Sequence, residues 1–368
     1  MTTVCLSPDA VFDGKTLRRD IALRIKGDVV ELVTGDLPGA IGVNGIVSAG
    51  FVDLQVNGGG GVLLNTRPTV AGLHRIAAAH RAFGTVRLLP TVISDTPDVL
   101  DRAVDAVITN DGAAGILGLH IEGPHIAEAR RGTHAARFLR PMDDRTISAV
   151  ERLRRRSHAV MITVAPEMCT PDQIAALADM GAVVSIGHSD CDAETLSTAL
   201  AAGARCGTHL FNAMSQMTAR APGIVGGLLD AGAYAGLICD GHHVSDAMIA
   251  IALRAQKTPE RLFLVSDAMP TVGGPDRFTL FGEVVGLNAG RLVNAEGNLA
   301  GAHLSQAAGL GNLVNRIGIA PDRALSMVTR IPAEAIGLPD LAEINGRHVA
   351  DLVVVDNGMT VRPLASVL

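Results

Sequence analysis

The chain has 368 residues, of which 48% are hydrophobic and 18% are charged, and its formal net charge is −6 at pH 7. This length and composition favour a globular protein with a large buried core, built as one large domain or two unequal ones. Aromatic residues make up only 2% of the chain, so an acidic protein with so few stacking side chains is a poor candidate for binding nucleic acid.

Membrane insertion and disulfide bonding are both disfavoured. No apolar stretch reaches the roughly 18 residues of a membrane span, and Met1 to Ala10 lack the basic start and apolar run of a signal peptide. We therefore expect a cytoplasmic protein without a membrane partner. The cysteines are odd in number and form no Cys-x-x-Cys pair, which predicts reduced thiols: Cys5, Cys169, Cys191, Cys206 and Cys239.

Short strands are the first elements predicted along the chain. From Val4 to Val47, alternating Val, Ile and Leu are interrupted by turn sequences such as Asp13-Gly14 and Lys26-Gly27-Asp28. At the other end of the chain, His348 to Asp356 has the pattern of one more strand. We expect the two ends of the chain to form one small β-domain together.

Between these ends, apolar runs alternate with helical patterns, which indicates consecutive βα units. Helical spacing occurs in segments such as Thr69 to Phe83 and Ala193 to Ala202, and Thr170-Pro171-Asp172 and Ser245-Asp246 are typical helix starts. Eight such units fit a (β/α)8 TIM-like barrel. The candidate strands are Gly50 to Asn57, Val86 to Ile93, Gly115 to Glu122, Ala159 to Ala165, Ala182 to His188, Ala204 to His209, Ala235 to Asp240 and Leu262 to Asp267.

A hairpin-like stretch interrupts the predicted barrel after its eighth strand. It runs from Arg277 to Leu299, with turn sequences at Asn288-Ala289-Gly290 and Glu296-Gly297-Asn298. The predicted organisation is therefore a barrel over residues 50–342 with a β-hairpin insertion around residues 277–299.

Four polar residues each close a short apolar run. They are Glu122 in Leu-His-Ile-Glu-Gly-Pro, His188 in Ser-Ile-Gly-His-Ser-Asp, His209 in Gly-Thr-His-Leu-Phe-Asn and Asp267 in Leu-Val-Ser-Asp-Ala-Met. Because the C-terminal ends of barrel strands share one mouth, these side chains are expected to converge there. Two imidazoles and one carboxylate are the ligand set of a catalytic metal, so Glu122, His188 and His209 are the candidate ligands.

Asp267 is not needed to complete that ligand set. A carboxylate beside a metal site can take a proton from the attacking water and return it to a leaving amine, which predicts a general base and acid. The plainer alternatives are that Asp267 only caps a helix and that His188 and His209 are ordinary polar residues on the rim of the barrel.

Asp53 and Asp240 are also carboxylates at strand ends, and they are weaker candidates for a role in the site. His120, two residues before Glu122, shares its side of the sheet.

The lysines and the first strand restrict the chemistry further. The chain has three lysines, Lys15, Lys26 and Lys257, and none lies on a predicted barrel strand. This disfavours a carbamylated-lysine two-metal centre and a Schiff-base aldolase. The first strand carries Gln55-Val56-Asn57 where a His-x-His pair could have held a second metal. These neutral amides predict one metal.

Seven short segments, in chain order, carry a family resemblance. The chain closely resembles the N-acetylglucosamine-6-phosphate deacetylase family of the amidohydrolase superfamily over nearly its full length. The matching segments are Gly50-Phe51-Val52-Asp53-Leu54-Gln55-Val56-Asn57-Gly58, His120-Ile121-Glu122-Gly123-Pro124, Gly132-Thr133-His134, Gly187-His188-Ser189, Thr208-His209-Leu210-Phe211-Asn212-Ala213-Met214, Asp240-Gly241-His242-His243 and Ser266-Asp267-Ala268.

The resemblance implies a fold and an assembly. It implies a small β-sandwich made from residues 1–49 and 343–368, beside the barrel, and a homodimer. It implies one divalent metal ion per subunit, for which Zn²⁺ is our expectation, although iron(II), cobalt and manganese also suit this ligand set. The ligands are again Glu122, His188 and His209, with Asp267 as general base and acid.

The resemblance also implies the substrate contacts. Thr133 and His134 bind the substrate, with His134 polarising the acetamide carbonyl. The sugar phosphate is held by Asn212 and Ala213, through amide groups of their loop, together with Arg220 and His243. The sugar pocket is lined by Leu299, Ala300 and Gly301. Two alternatives stay open for the phosphate contacts. Arg220 could be a charge that only faces solvent, and His242 could bind the phosphate in place of its neighbour His243.

The reaction implied is hydrolysis of N-acetyl-D-glucosamine 6-phosphate to D-glucosamine 6-phosphate and acetate by a metal-bound water, in amino-sugar catabolism and recycling. Two alternatives stay open: an N-acyl-amino-acid or other amide hydrolase on the same barrel, and a phosphosugar-binding protein without catalysis. Two departures from the family pattern, Cys239 and the loop Glu128-Ala129-Arg130-Arg131, could alter how the mouth of the barrel closes.

Overall fold

The computed structural model of the protein describes residues 3–294 and 297–368. Residues 1 and 2 of the predicted terminal domain, and Glu296 of the predicted turn, lie outside the described residues. The chain begins with strands, as its alternation predicts: β1 (Thr3–Phe12), β2 (Leu17–Arg18), β3 (Ile21–Lys26), β4 (Val29–Thr34) and β5 (Ile41–Ala49).

A parallel barrel follows, built from strands that are almost entirely buried because helices cover the sheet. The next strands along the chain are β6 (Phe51–Val56), β7 (Gly58–Gly59), β8 (Val62–Leu63), β9 (Thr85–Ile93), β10 (Gly118–Glu122), β11 (Ala159–Val164), β12 (Val183–Ile186), β13 (Cys206–Gly207), β14 (Tyr234–Leu237) and β15 (Leu262–Leu264). Short β7 and β8 pair with each other. The others run in the order β6-β9-β10-β11-β12-β13-β14-β15.

The two edges of this sheet meet beyond β15. The backbone N–H of Asp267 donates to the carbonyl of Gln55 at 3.0 Å, and a parallel bridge pairs Val56 with Ala268. This nearly closes the barrel and confirms the predicted TIM-like fold.

Helices alternate with the barrel strands. Thr170 caps its helix in a capping box with Gln173, and the Ser245 side chain accepts the N–H of Met248, so both predicted helix starts are confirmed. The helices are α1 (Val70–Arg81), α2 (Pro97–Asn110), α3 (Asp144–Arg154), α4 (Pro171–Asp179), α5 (Ala193–Ala201), α6 (Gly223–Ala231), α7 (Asp246–Ala255), α8 (Gln306–Asn315), α9 (Pro321–Val328) and α10 (Arg330–Ala335).

A small antiparallel sheet is inserted between β15 and α8. Its strands are β16 (Arg277–Leu280), β17 (Glu283–Asn288), β18 (Arg291–Val293) and β19 (Leu299–Ala302). Ala289 and Gly290 connect β17 to β18 with φ angles of 48° and 81°, as a tight hairpin turn requires. Ala302 of β19 bridges to Ala268 after β15. The insertion therefore lies at the mouth of the barrel.

The chain returns to the first sheet through β20 (Leu352–Val355) and β21 (Val361–Pro363). The strand order is β21-β20-β5-β1-β3-β4, with β2 paired to β1, so both chain ends share one sheet with a hydrophobic core of its own. Asp351 joins this sheet to the barrel through a 2.7 Å contact with Arg87. The exact domain boundaries stay a prediction.

Two further observations bear on the sequence predictions. Within the described residues, no helix is both long and apolar enough to cross a membrane. The five cysteines are free, and four of them are buried.

Candidate functional site: a buried carboxylate and imidazole cluster

The four polar residues that close apolar runs do lie at strand ends. Glu122 is the last residue of β10, while His188, His209 and Asp267 follow β12, β13 and β15 by two or three positions. The latter three have positive φ angles, +50°, +31° and +49° respectively. Residues other than glycine rarely adopt this region, at a cost of about 1–3 kcal/mol each, and such strain clusters at functional sites.

Glu122, His188 and His209 form a tight buried triangle. Glu122 Oε1 lies 3.2 Å from His188 Nε2 and 3.1 Å from His209 Nε2, and the two Nε2 atoms are 3.0 Å apart. Burial raises the pKa of Glu122, but the contacts with the imidazoles of His188 and His209 outweigh it and hold that pKa well below its usual value. Ligands about 2.0–2.1 Å from one zinc ion lie roughly 3.3 Å apart, so this triangle suits a shared metal.

The His188 tautomer supports that reading. Its Nδ1 lies 2.8 Å from the carbonyl oxygen of Arg130, which can only accept, so Nδ1 carries the proton and Nε2 offers its lone pair. His209 Nδ1 is buried and has no hydrogen-bond partner among the described residues. Both Nε2 atoms face Glu122.

His134 lies beside the triangle, with its ring centroid 4.6 Å from that of His188. Glu122, His134 and His188 each have one potential ligand atom within 4.8 Å of the others. However, His134 Nδ1 accepts the backbone N–H of Ser94 at 3.3 Å, so its Nε2 carries the proton. A protonated Nε2 donates hydrogen bonds and cannot ligate a metal, whereas His209 Nε2 lies much closer to both other groups. Burial and His188 lower the pKa of His134 to about 3, which keeps it neutral.

Gln55 connects the triangle to Asp267. Its Nε2 lies 2.9 Å from Glu122 Oε1 and 3.2 Å from Asp267 Oδ1. Asn57 Nδ2 donates to the same Asp267 oxygen at 2.7 Å, which leaves Asp267 Oδ2 without a hydrogen-bond partner in the described part of the chain. Burial and the charge of Glu122 raise the pKa of Asp267 to about 6. The geometry suits a carboxylate that exchanges protons near neutral pH.

The two weaker carboxylate candidates have different surroundings. Asp53 is fully buried behind this site, accepts the N–H groups of Gln55 and Ser266, and has its pKa raised by burial to about 7. Asp240 accepts a 2.6 Å hydrogen bond from His243 Nδ1 and two backbone N–H bonds. Asp240 therefore orients the ring of His243, while Asp53 supports the backbone before Asp267.

A cavity of about 440 Å³ opens over these groups at the mouth of the barrel. Most of the predicted site residues line it: Glu122, Thr133, His134, His188, His209, Asn212, Ala213, His243, Asp267, Leu299 and Gly301. Arg220 and Ala300 do not line it: Arg220 is exposed on the loop before α6, and Ala300 is buried in the core of the inserted sheet. His242 is also exposed and outside the cavity.

Loop residues on the cavity wall offer hydrogen-bond donors. The Asn212 side-chain N–H groups contact the carbonyls of His209 and Leu210, so they serve the loop itself. Ala213, at φ +51°, has a backbone N–H with no partner among the described residues. Together with His243, this N–H can receive an anion.

Several residues of the cavity wall were not predicted from the sequence. Arg130 and Arg131 belong to the loop that was expected only to affect how the mouth of the barrel closes, and both line the cavity. The direct contacts of Gln55 and Asn57 were also missed, although their position in the first strand had singled them out. Other unassigned wall residues are Ile93, Glu128, Ala129, Gly132, Ile238, Met269 and Asn298.

Comparison with known proteins places this architecture in a family. The Amidohydrolase family profile matches residues 46–367. The N-acetylgalactosamine-6-phosphate deacetylase of Shewanella sp. strain ANA-3 is 40% identical over 332 residues, covering 89% of this chain and 84% of that protein. The N-acetylglucosamine-6-phosphate deacetylase of Haemophilus influenzae is 31% identical over 350 residues, covering 91% of each.

Solved structures agree with this placement. A mutant of N-acetyl-D-glucosamine-6-phosphate deacetylase from Mycobacterium smegmatis, in complex with N-acetyl-D-glucosamine-6-phosphate, superposes with a TM-score of 0.89 at 30% identity. The superposition covers 98% of this chain and 97% of that one. This chain belongs to the amidohydrolase family, in the group that contains the N-acetylglucosamine- and N-acetylgalactosamine-6-phosphate deacetylases.

Proposed function

We propose that the protein deacetylates N-acetyl-D-glucosamine 6-phosphate to D-glucosamine 6-phosphate and acetate, as a metal-dependent hydrolase of amino-sugar metabolism. One observation carries the proposal. The Gln55 amide donates both to Glu122 of the Glu122, His188 and His209 triangle and to the Asp267 carboxylate, so the groups that we propose as ligand set and proton acceptor are neighbours in one cavity. The deacetylases among its relatives support the substrate class.

The amidohydrolase family implies a divalent metal, and the cluster at the barrel mouth is a candidate site for it. We propose one ion per subunit, held by Glu122, His188 and His209, with Zn²⁺ as the ion. Two imidazoles, one carboxylate and room for water are a catalytic zinc donor set. Such an ion supplies Lewis-acid polarisation and acidifies water. A second ion would need metal ligands at positions 55 and 57. Gln55 and Asn57 instead use their side-chain amides to donate hydrogen bonds, which supports a single ion.

The chain's own groups account for the proton transfers. Asp267 Oδ2 takes a proton from the attacking water as the oxygen bonds to the acetamide carbon, and delivers it to the nitrogen as the C–N bond breaks. His134 Nε2–H donates to the carbonyl oxygen, which gains negative charge in the transition state. Because His134 is neutral, it stabilises that charge without supplying its own proton.

We place the sugar phosphate on His243 and on the Ala213 N–H, which has no partner among the described residues. Asp240 fixes the His243 ring through Nδ1, so Nε2 faces away from that contact. Leu299 and Gly301 line the sugar pocket. We propose that the protein is a homodimer and that Arg220, which is exposed outside its own cavity, acts in the cavity of the partner subunit.

Co-expression tests this arrangement. In mixed dimers of Asp267→Asn and Arg220→Ala chains, one of the two cavities regains both residues if Arg220 acts across the interface. Activity then returns to about one quarter of the wild-type level by random pairing. Mixed dimers as inactive as the two parent variants would show that Arg220 serves its own chain. A monomer in analytical ultracentrifugation would contradict the homodimer.

The location and the domain boundaries are proposals as well. A sugar phosphate carries a charge that keeps it on the side of the membrane where it is made, so we place the enzyme in the cytoplasm. Cell fractionation tests this. We propose domain limits of 1–49 with 343–368, and 50–342 with the inserted sheet around 277–299, which limited proteolysis can check.

Acetate release by zinc-loaded protein tests the proposed function directly. We expect turnover of N-acetylglucosamine 6-phosphate and much poorer turnover of the unphosphorylated sugar. The unphosphorylated sugar has no group to occupy the proposed phosphate site. Equal rates on both sugars would favour a general amide hydrolase, including one for N-acyl amino acids. Binding of the phosphosugar without acetate release would identify a sensor.

A second candidate substrate is N-acetylgalactosamine 6-phosphate. The Shewanella relative that is named for this sugar is 40% identical to the chain, against 31% for the Haemophilus glucosamine enzyme. The two sugars differ only in the orientation of one hydroxyl, at carbon 4. The ratio of kcat/KM values on the two sugars decides between them, and a ratio above one for the galactosamine sugar would replace our first choice.

A further inference from the structure

We propose that a buried chain of hydrogen bonds through Ser185, Thr208, Thr163 and His120 positions the metal ligands from one layer below. The inference rests on the proposed ligand set of Glu122, His188 and His209. It assigns a role to side chains that do not line the cavity, so they act as positioning residues.

This chain of hydrogen bonds crosses four neighbouring barrel strands and ends on a fifth. Ser185 Oγ lies 2.6 Å from Thr208 Oγ1, which lies 2.6 Å from Thr163 Oγ1. Thr163 Oγ1 lies 2.7 Å from His120 Nε2, and His120 Nδ1 lies 3.0 Å from the carbonyl oxygen of Leu54. These side chains are at most 3% exposed, so bulk water cannot replace a lost partner.

The Leu54 carbonyl at the end of this hydrogen-bond chain determines which group donates and which accepts at every step. A carbonyl oxygen can only accept, so His120 Nδ1 donates to Leu54 and His120 Nε2 accepts from Thr163. Thr163 then accepts from Thr208, and Thr208 accepts from Ser185. Each threonine hydroxyl both donates and accepts, which sets one arrangement along the whole chain. Removal of one hydroxyl leaves its neighbours without partners.

Each proposed ligand is next to a member of this chain. Thr208 immediately precedes His209, and His120 lies two residues before Glu122 on β10. The N–H of Gly123, directly after Glu122, donates to the Thr163 carbonyl at 3.2 Å.

The third ligand is connected by close packing. Gly187 precedes His188, and a Cβ atom at position 187 would lie 2.7 Å from Thr208 Cβ, a distance that real contacts do not reach. The backbone before His188 therefore rests directly on Thr208. Gln55, which bridges Glu122 and Asp267, follows Leu54. A shift of Thr208 would move His188 and His209 together.

The molecule offers a matched comparison. His125 is a second buried imidazole held between a carbonyl and a threonine, with Nδ1 3.0 Å from Arg140 O and Nε2 2.9 Å from Thr146 Oγ1. Thr146 lies on α3 and does not line the cavity. The two pairs share their chemistry and burial, but Thr208 directly precedes His209, whereas Thr146 is not next to a proposed ligand.

The test compares Thr208→Val, which keeps the shape and loses the hydroxyl, with Thr208→Ser, which keeps the hydroxyl, and with Thr146→Val. The measurements are the dissociation constant for Zn²⁺ by chelator competition and the Tm of the metal-free protein. We expect Thr208→Val to weaken Zn²⁺ binding by about 10–100-fold, as for other groups that support ligands. Thr208→Ser and Thr146→Val should bind Zn²⁺ like the wild type.

The outcomes separate the inference from the proposed function. Wild-type Zn²⁺ affinity in Thr208→Val, or an equal loss in Thr146→Val, would overturn the positioning role while leaving the ligand set intact. No Zn²⁺ binding by the wild type would overturn the ligand set itself. If Thr208→Val does not fold, Ser185→Ala removes the first donor with a smaller change in volume. It should weaken Zn²⁺ binding in the same direction, and unchanged affinity would contradict the inference.

Discussion

The two parts of the cavity that we propose for the acetamide and for the phosphate are built in different ways. At the proposed acetamide end, Glu122, His188, His209 and Asp267 come from barrel strand ends of one chain and are at most 8% exposed. At the proposed phosphate end, the candidate donors come from loops, and Arg220 lies outside the cavity.

This difference suggests that the strand-end residues carry out the reaction and that the loop residues recognise the substrate. Strand ends are held by the barrel closure and by buried hydrogen bonds, so they can maintain strained backbone and short contacts between polar groups. Loops can change their residues without disturbing that framework. A loss at the acetamide end should therefore abolish turnover of every substrate, whereas a loss at the phosphate end should affect only phosphorylated ones.

The largest expected effect follows from Glu122→Gln. A neutral amide is a much weaker metal ligand than the carboxylate, and the pairing with His188 and His209 is lost. We expect metal content to fall far below one ion per chain and acetate release to fall to background. Elemental analysis of the purified variant checks this, and stoichiometric metal would remove Glu122 from the ligand set.

Asp267→Asn should come next, with kcat reduced by about 10²–10⁴-fold because a general base and acid is lost. Metal content should stay at the wild-type level, since Asp267 is not a proposed ligand. Acetate release and elemental analysis of the same preparation measure both quantities. Near wild-type turnover would show that the mechanism is wrong.

At the phosphate end, His243→Asn should raise KM for the phosphorylated substrate by roughly 10–100-fold, since a hydrogen bond to a charged group contributes about 1.5–3 kcal/mol. Activity on the unphosphorylated sugar should change little. His242→Asn is the matched control because His242 is the exposed neighbour outside the cavity. Equal effects of the two substitutions would break the contrast between the two ends.

The smallest effect is a pH dependence of the acetamide end. Asp267 must be ionised to accept a proton, and its pKa is raised to about 6. Therefore kcat/KM should rise about tenfold per pH unit below that value and level off above it. The charge of a bound cation would shift this limb to lower pH.

Asp53→Asn is the control for that profile, because the pKa of Asp53 is also raised, to about 7. The acid limb should persist in this variant. Loss of the limb would assign it to Asp53, and a flat profile in the wild type would contradict proton transfer by Asp267.

Much of the fold and of the acetamide end followed from sequence pattern. Apolar runs that alternate with helical segments indicated the barrel, and polar residues that close those runs indicated its mouth. Glu122 and His209 are 87 positions apart in sequence, yet they could be placed together because the C-terminal ends of parallel barrel strands always meet.

The phosphate end followed less well, because loop geometry has no comparable rule. The resemblance grouped Asn212, Arg220 and His243 together. The structure brings Asn212 and His243 to the cavity, and the Asn212 amide serves its own loop while Arg220 stays outside. The sequence pattern also could not show that Gln55 donates to both Glu122 and Asp267, because that contact joins residues of three strands that are far apart along the chain.

The sequence alone determined the residue types at each strand end and the alternation that places them at one edge of a sheet. Tertiary structure alone decided the positive φ angles of His188, His209 and Asp267, the tautomers of His134 and His188, and the direction of the hydrogen-bond chain below them. The reason is physical: strand periodicity is a local property, whereas a proton's position on an imidazole depends on partners from distant parts of the chain.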